Sequence, residues 1–376
     1  MIFTLKLFGS IFVTITVVFF MWRWLLIRKF RRNSVTILAI KHNCGRLCNQ
    51  LWNFTNLYSY CLEKKYRFYN PSFHQYAHYF PRLQYNVGIS PANAKKNKLF
   101  YVKKLHYYYW KILRHLFLKT KKNIRIEVKR SDNRVPLPPT PSNIFDNKYQ
   151  YQYQYQYFID KKEYSEADDL FFSDLKPGLY TLHGWKFYNP IGIDKFRQEL
   201  LALFKPRSDI ITTIDAFWED IEKEKLVIGV HIRHTDYKEF ENGARFISIA
   251  QYREYMGTLA KRYNHYNPLF IIYSDEHRNN SEFPGMRCKI SKGNMIEDLY
   301  SMAKCDLIIG PRSTYSKWAA WYGDAILYIL NDKNIDFEFI DNDVKDKMND
   351  KNNTYNDSIC RQQKYSAADK LLEEGF

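Results

Sequence analysis

A buried strand runs directly into ionisable side chains in the segment VIGVHIRHTDYKEF, residues 227–240. Its apolar start is typical of a strand covered on both faces, and His231, Arg233, His234 and Asp236 follow within a few positions. A lone histidine is usually a satisfied core residue, but four such groups together would be costly to bury without partners. The cluster therefore predicts that the end of this strand faces a ligand.

Two later segments carry polar groups at the same point of a predicted strand. Asp275 follows one strand in YSDEH, and GPRSTYS follows another, with Arg312, Ser313, Thr314 and Ser316. In parallel α/β sheets, ligands bind outside the carboxyl ends of the strands, so all these residues are expected at one edge.

The chemistry of this edge suits a diphosphate. The planar guanidinium of Arg233 matches phosphate geometry, and small hydroxyl residues at the start of a helix accompany free backbone N–H groups that bind anions. The carboxylate of Asp275 could accept hydrogen bonds from ribose hydroxyls or a base edge. No Walker loop is present, so a P-loop enzyme is not indicated.

Strands alternating with helices predict an α/β protein whose sheets are parallel. We expect an α/β domain over residues 33–205, a ligand-binding α/β domain over 206–350 and a polar tail over 351–376. The predicted strands are Ser34–Ile40, Leu179–Trp185, Leu226–Ile232, Leu269–Tyr273, Asp306–Ile309 and Ile326–Leu330. The predicted helices begin near Asn49 and Ile193, and cover Ile210–Glu224, Ser248–Tyr263, Asn294–Ala303 and Tyr315–Tyr322.

Two segments of the first half are unusual in composition. The Tyr-Gln repeat over 148–158 has the period of an exposed strand, but its low complexity favours a loop insertion. Residues 101–119 mix aromatic and basic residues at helical spacing, which favours an amphipathic helix on an anionic membrane over a helix on the domain surface.

The N-terminus predicts a membrane anchor. Leu7 to Ile27 reaches the roughly 20 residues that a transmembrane helix needs, and four basic residues follow it within 28–32. Residues 1–32 are therefore assigned to an anchor with a basic flank. Its orientation stays open between the cytoplasmic face of a bacterial-type inner membrane and the Golgi lumen.

The net charge of +17 indicates an anionic partner without naming it. No nucleic-acid-binding signature is present, so nucleic acid is not the expected partner. The six cysteines lack zinc-site or disulfide-framework spacing and are expected to be ordinary free thiols.

Three motifs together resemble the fucosyltransferase superfamily. GRLCNQLW, residues 45–52, is similar to the GRLGNQLF segment of α-1,2-fucosyltransferases. GVHIRHTDY, residues 229–237, resembles the His-x-Arg-Arg-x-Asp motif shared by α-1,2-, α-1,6- and protein O-fucosyltransferases. DLYSMAKCDLIIGPRSTYSKWAAW, residues 298–321, resembles the family's third motif, and the α-1,2 family is the nearest match.

The resemblance implies a GT-B-like fold with two Rossmann-like domains, and transfer from GDP-fucose with inversion and without a metal or other cofactor. It implies that Arg233 holds the β-phosphate and stabilises the leaving GDP. The remaining donor-binding residues implied are His231, Asp275, Asp298, Ser313, Thr314 and Ser316, with Gly45 and Asn49 closing the site from the first domain.

Three departures and one open role follow from the resemblance. His234 stands where many members carry a second arginine, and Cys48 replaces a loop glycine. Arg312 stands where small or amide residues are common and is a candidate to compensate for His234. The general base is expected to be Glu241 or Glu239, with Asp236 as a rival that could instead orient Arg233.

Three functions stay open on the sequence. The first is a membrane-anchored fucosyltransferase acting on a glycan or glycoprotein, with α-1,2 transfer favoured. The second is a transferase of this fold with another nucleotide sugar. The third is a catalytically silent sugar-nucleotide-binding protein.

Overall fold

The computed structural model describes residues 21, 35–41, 45–84, 124–136, 151–159, 162–164, 175–184, 189–330, 337 and 340–354. No helix within these ranges is both long and apolar enough to cross a bilayer. The predicted anchor lies outside them except for Met21, and so does the predicted amphipathic helix over 101–119.

The first sheet has six strands and mixed directions. Its strands are β1 (Val35–Lys41), β2 (Arg67–Tyr69), β3 (Ile124–Pro136), β4 (Tyr151–Ile159), β5 (Lys162–Tyr164) and β6 (Gly178–Gly184). The order is β2-β1-β6-β3-β4-β5, in which β1, β2, β3 and β6 pair in parallel. β3–β4 and β4–β5 pair antiparallel, so the prediction of a parallel sheet is wrong at this edge.

The Tyr-Gln repeat forms β4, so the prediction of a loop there is also wrong. Its register with β3 includes Val128 opposite Tyr157 and Arg130 opposite Tyr155. Tyrosine favours strands, and alternation with period two suits a pleated segment once a partner strand is available. Low complexity was therefore the weaker signal here.

The second sheet has five strands, all parallel. They are β7 (Val227–Ile232), β8 (Leu269–Ser274), β9 (Cys288–Ile290), β10 (Leu307–Gly310) and β11 (Ile326–Ile329), in the order β11-β10-β7-β8-β9. The four strands predicted in this half are confirmed to within a residue or two, and β9 was not predicted.

Eight helices of the described chain pack around the sheets. They are α1 (Leu47–Glu63), α2 (Pro190–Lys195), α3 (Arg197–Leu203), α4 (Ser208–Trp218), α5 (Ile249–Arg262), α6 (Met295–Met302), α7 (Thr314–Gly323) and α8 (Asp341–Thr354). α8 was not predicted, and it extends past the expected start of the polar tail at residue 351.

Side-chain caps fix where the helices of the second half begin. Ser248 and Gln251 form a reciprocal capping box at α5, and Asn294 and Glu297 form another at α6. At α7 the hydroxyl of Ser313 accepts a hydrogen bond from the N–H of Tyr315. Each cap satisfies N–H groups that have no partner within the helix, which explains why these starts were readable in the sequence.

The second sheet is covered on both faces. Alternate residues of β7 enter different cores, since successive side chains of a strand point to opposite faces. Ile228, Val230 and Ile232 join a core with α5 and α8. Val227 joins the other core, which includes α4, α6, α7 and α1 and continues to the first sheet. His231 lies four residues after Val227 in the same strand, so its side chain points to the same face of the sheet as that of Val227.

Candidate functional site

The site lies where the strand order of the second sheet reverses. β8 and β9 extend from one side of β7, while β10 and β11 extend from the other. The crevice outside the carboxyl ends of β7 and β10 is the place where open α/β sheets bind ligands. A Cβ atom on Gly310, at the end of β10, would lie 2.8 Å from the carbonyl oxygen of His231, so only glycine permits this close approach.

Arg233, one residue past β7, is held by two neighbours. Its Nε and Nη2 donate to the Asp236 carboxylate over 2.8 and 2.6 Å. Its guanidinium carbon lies 4.6 Å from the ring centroid of Tyr237, within cation–π range. Tyr237 is itself buried and donates its hydroxyl to the carbonyl oxygen of Arg312 over 2.8 Å. Within the described residues Nη1 of Arg233 has no hydrogen-bond partner, so it can bind an anion.

The Arg233–Asp236 pair fixes the charge of both groups. Burial works against the charge of Arg233, but the hydrogen bonds that it donates to Asp236, together with the nearby charges of Asp236, Tyr237 and Asp275, outweigh this effect and raise the pKa of Arg233. The same hydrogen bond holds the pKa of Asp236 below its usual value. Asp236 is therefore a weak base whose carboxylate holds the guanidinium of Arg233.

His231 is a buried, neutral imidazole. Its side chain is 6% exposed, its backbone carbonyl accepts from the Tyr252 hydroxyl, and its ring lies 5.2 Å from that of Tyr315. Desolvation, reinforced by Arg233, lowers the pKa of His231 to about 4. Among the described residues its Nδ1 has no hydrogen-bond partner. A buried polar atom without a partner is rare in proteins. Because Nδ1 is itself covered by protein atoms, it does not open into the crevice in this structure.

The start of α7 brings the predicted hydroxyl residues to this crevice, but two of the hydroxyls serve the helix. Ser313 caps it, and the Ser316 hydroxyl donates to the Ser313 carbonyl oxygen over 3.3 Å. The carbonyl oxygen of Thr314 accepts from the indole N–H of Trp52, on α1, over 3.2 Å. The contribution of this segment is therefore a positioned helix start rather than a row of free hydroxyls.

The ring of His234, which the sequence predicts as a donor-binding residue, contacts protein groups through both nitrogens. Nε2 lies 2.7 Å from the Ile247 carbonyl oxygen, and Nδ1 lies 2.7 Å from Nη2 of Arg278. A carbonyl can only accept, so Nε2 carries the hydrogen and Nδ1 accepts from the guanidinium. His234 thus holds the loop after β7 in place. Arg278, whose side chain is 9% exposed and also binds Glu276, was not predicted.

Asp275 also stabilises this loop. One carboxylate oxygen accepts from the His234 backbone N–H over 2.8 Å, and the other accepts from the Thr235 hydroxyl over 2.5 Å. The sequence placed Asp275 correctly at the end of β8. Its hydrogen bonds, however, go to the neighbouring strand's loop, as expected of a residue that positions Arg233.

Asp298 is a buried carboxyl beside the same crevice. It lies in α6, is 9% exposed, and accepts from the Ser291 hydroxyl over 2.5 Å. Burial raises the pKa of Asp298 to about 7, so it is largely protonated below neutrality. A Cβ on Gly293 would lie 2.6 Å from its Oδ1, which explains the glycine in the preceding loop. A protonated carboxyl can both donate and accept, as recognition of a base edge requires.

The first half reaches the site through the loop before α1. Arg46 lies 3.7 Å from the Asp236 carboxylate, although 190 residues separate them. Gly45 has φ +73°, and a Cβ there would lie 2.3 Å from Nδ2 of Asn49. Arg46, which contacts Asp236, lies directly after Gly45 and three residues before Asn49. The two residues that the sequence predicts at the site are therefore close in the chain to one that reaches it. Arg46 itself was missed, although it lies inside the quoted motif.

The two candidate bases follow the site in sequence. Glu241 lies in the short 3-10 turn Phe240–Gly243, and Glu239 is exposed just before it. The backbone N–H of Phe240 donates to the Asp236 carbonyl oxygen over 2.9 Å, which ties this turn to the Arg233 pair.

The described residues contain no group of three or more His, Cys, Asp or Glu side chains suited to a metal ion. The sequence holds an Asp-x-Asp triplet at Asp341–Asp343, at the start of α8. Asp341 binds Arg262 and the Tyr263 hydroxyl there.

The chain is similar to several solved structures. For POFUT1 in complex with GDP-fucose, the identity is 10%, the TM-score is 0.43, and 80% of this chain and 98% of that chain are covered. For a mutant of Arabidopsis thaliana FUT1 in complex with GDP, the identity is 11% and the TM-score is 0.44, with 80% of this chain and 71% of that chain covered. For NodZ α-1,6-fucosyltransferase with GDP, the identity is 11% and the TM-score is 0.38, with 76% of this chain and 92% of that chain covered. No protein-family model and no curated protein matches the chain.

Proposed function

We propose that this chain is a glycosyltransferase of GT-B architecture that moves fucose from GDP-fucose to a glycan hydroxyl, with α-1,2 transfer as the favoured linkage. The observation that carries the proposal is the Arg233 guanidinium, oriented by Asp236 and Tyr237 at the strand-order reversal with Nη1 left to bind an anion. The resemblance of residues 45–52, 229–237 and 298–321 to fucosyltransferase motifs gives that anion its identity, the diphosphate of GDP.

The reaction would be a single displacement. The acceptor hydroxyl oxygen attacks the anomeric carbon of fucose, the bond to the β-phosphate oxygen breaks, and GDP leaves with the bonding electrons. Negative charge grows on the β-phosphate as that bond breaks, and an oriented guanidinium lowers the barrier most where such charge develops. Asp236 would keep Arg233 in place rather than act as the general base, because a carboxylate whose pKa is lowered is poorly suited to take a proton.

Three other groups have roles in this proposal. Neutral His231 would line the donor site beside Arg233, and protonated Asp298 would bind the guanine edge. Glu241 or Glu239 would take the proton of the acceptor hydroxyl. The segment Leu7–Ile27 would anchor the enzyme in a membrane, so the substrates would be met at a membrane surface.

The chain offers a matched control for Arg233. Arg287 also binds a carboxylate, that of Glu224, through Nη1 at 2.9 Å and Nη2 at 2.5 Å. Arg287 directly precedes β9 and Glu224 lies shortly before β7. The pair therefore lies at the amino ends of the strands, opposite the carboxyl ends where Arg233 lies. Replacing Arg287 removes a comparable ion pair without touching the proposed site.

The test is nucleotide release by the detergent-solubilised full chain from GDP-fucose, GDP-mannose and UDP-galactose. We expect GDP from GDP-fucose alone, a loss of roughly 10²-fold or more in Arg233→Ala, and a rate within about twofold in Arg287→Ala. Consumption of GDP-mannose or UDP-galactose instead would overturn the fucose assignment. A chain that neither binds GDP nor consumes any donor would overturn the transferase itself.

A further inference from the structure

Phe240 is an exposed aromatic side chain beside the candidate site. Four large hydrophobic side chains of the described residues are exposed, and Phe240, at 45%, is the one that follows β7. Exposed apolar residues scattered singly need no explanation. Phe240 is different because the surrounding structure holds it in a defined position.

The backbone presents Phe240 on a tight turn. Its N–H donates to the Asp236 carbonyl oxygen over 2.9 Å, and Asn242 N–H donates to the Glu239 carbonyl oxygen over 3.1 Å. Asn242 and Gly243 both have left-handed backbone, with φ +55° and +76°. A left-handed residue other than glycine is uncommon and is kept where the surroundings require it.

The ring of Phe240 is held by aromatic and cationic neighbours. It stacks on Tyr237 with centroids 5.9 Å apart and 20° between the planes, while the Arg245 guanidinium lies 5.0 Å from its centroid. Tyr237 is 4% exposed and also carries the Arg233 guanidinium. Phe240 therefore stands one aromatic ring away from the group that would hold the diphosphate.

We propose that Phe240 is a platform for a hexopyranose ring of the acceptor. This inference rests on the proposed function, in which an acceptor sugar must approach the donor near Arg233. One face of a hexopyranose carries mainly C–H groups, which pack on an exposed aromatic ring, while its hydroxyls need polar neighbours. Glu239, which is exposed directly before Phe240, and Arg245, whose guanidinium lies 5.0 Å from the ring centroid, supply such neighbours.

The test uses the full chain with methyl β-D-galactopyranoside as the probe and GDP as the donor-side ligand. Saturation-transfer NMR reports sugar contact with the protein, and calorimetry reports GDP binding. The variants are Phe240→Ala, Phe240→Tyr as the conservative change, and Ile191→Ala as a control that removes a hydrophobe exposed by 73% in α2.

We expect the sugar signal in the wild type, Phe240→Tyr and Ile191→Ala, and a loss of about tenfold in sugar affinity in Phe240→Ala. GDP affinity is expected to stay within about twofold in all four proteins. Absence of a wild-type sugar signal, or an unchanged signal in Phe240→Ala, would overturn the proposal. A loss of GDP affinity in Phe240→Ala would also overturn it, because the ring would then serve the nucleotide. Failure of the wild type to bind GDP would count against the proposed function instead, whatever the sugar signal.

Discussion

Replacing Asp236 by asparagine separates two roles for this carboxylate. If Asp236 orients Arg233, asparagine keeps one acceptor and removes one of the two hydrogen bonds to the guanidinium. If Asp236 were the general base, the substitution would remove the group that takes the proton. The two roles predict losses of different size.

The structure sets the magnitude for the orienting role. A hydrogen bond to a charged group contributes about 1.5–3 kcal/mol. The Asp236 side chain is 36% exposed, so solvent screens part of this energy and the lower end, about 1.5 kcal/mol, applies. That free energy corresponds to a loss of about tenfold in kcat/KM. Removal of a general base typically costs about 10²–10⁴.

The assay is initial-rate GDP release from GDP-fucose between pH 5 and pH 9, with wild type and Asp236→Asn compared at matched folded fractions. The pKa of Asp236 is held below its usual value by Arg233, so Asp236 stays ionised across this range and contributes no step to the profile. We expect the same pH profile in both proteins, displaced downward by about tenfold. A loss of 10³-fold or more, with the acidic limb of the profile abolished, would refute the orienting role.

Three further predictions concern stability, each measured by denaturant unfolding. The pKa of His231 is about 4 in the folded protein and 6.5 in the unfolded chain, so its contribution to the free energy of unfolding is lost as pH falls from 6.5 to 4. The pKa of Asp298 is about 7 in the folded protein and 3.8 in the unfolded chain, so its contribution is lost as pH rises from 3.8 to 7. The two slopes oppose each other. His231→Gln is therefore expected to leave the Asp298 slope, with an amplitude of about 4 kcal/mol, and Asp298→Asn the His231 slope, with an amplitude of about 3 kcal/mol. Identical slopes in all three proteins would contradict both shifts. Trp52→Phe should cost about 1 kcal/mol through its lost bond to the start of α7, and no loss would mean that the bond contributes nothing. Gly45→Ala should cost about 1–3 kcal/mol because φ is +73° and a Cβ meets a side-chain amide, whereas a neutral change would show that the loop adapts.

The second sheet was readable from the sequence because its strands are continuous apolar runs between capped helices. Leu307–Gly310 and Ile326–Ile329 fall within about a residue of the predicted strands. In the first half, composition misled. The Tyr-Gln repeat looks like an insertion, and its pairing with Ile124–Pro136 depends on a partner that no local pattern identifies.

The candidate site was predictable in position and less so in detail. His231 lies near the end of a buried strand and Arg233 directly after it, so the rule that ligands bind at the carboxyl ends of strands predicts both at this edge. His234 and Asp275 look equally suited to a ligand in sequence, yet both are used to hold the loop after β7. Those bonds depend on Ile247 and Arg278, and the orientation of side chains across a loop has no sequence signature.

The contact of Arg46 with Asp236 is a second side-chain contact without a sequence signature, in this case between residues far apart in the chain. It joins the start of α1 to the loop after β7 across 190 residues. The motif around Gly45 indicated that this segment belongs to the site. Which side chain makes the contact depends on how the two halves pack through Trp52, Trp318 and Trp321, whose ring centroids lie within 5.1–5.6 Å of one another.

The central claim is that the Arg233 guanidinium binds the diphosphate of a guanine nucleotide, and calorimetry of GDP binding tests it most directly. Removing a charged partner of this kind costs about 2–5 kcal/mol, so Arg233→Ala is expected to raise the Kd for GDP by about 30-fold or more. Arg287→Ala, which removes the matched pair at the opposite edge of the sheet, should leave the Kd within about twofold. Equal GDP affinity in wild type and Arg233→Ala would contradict the account.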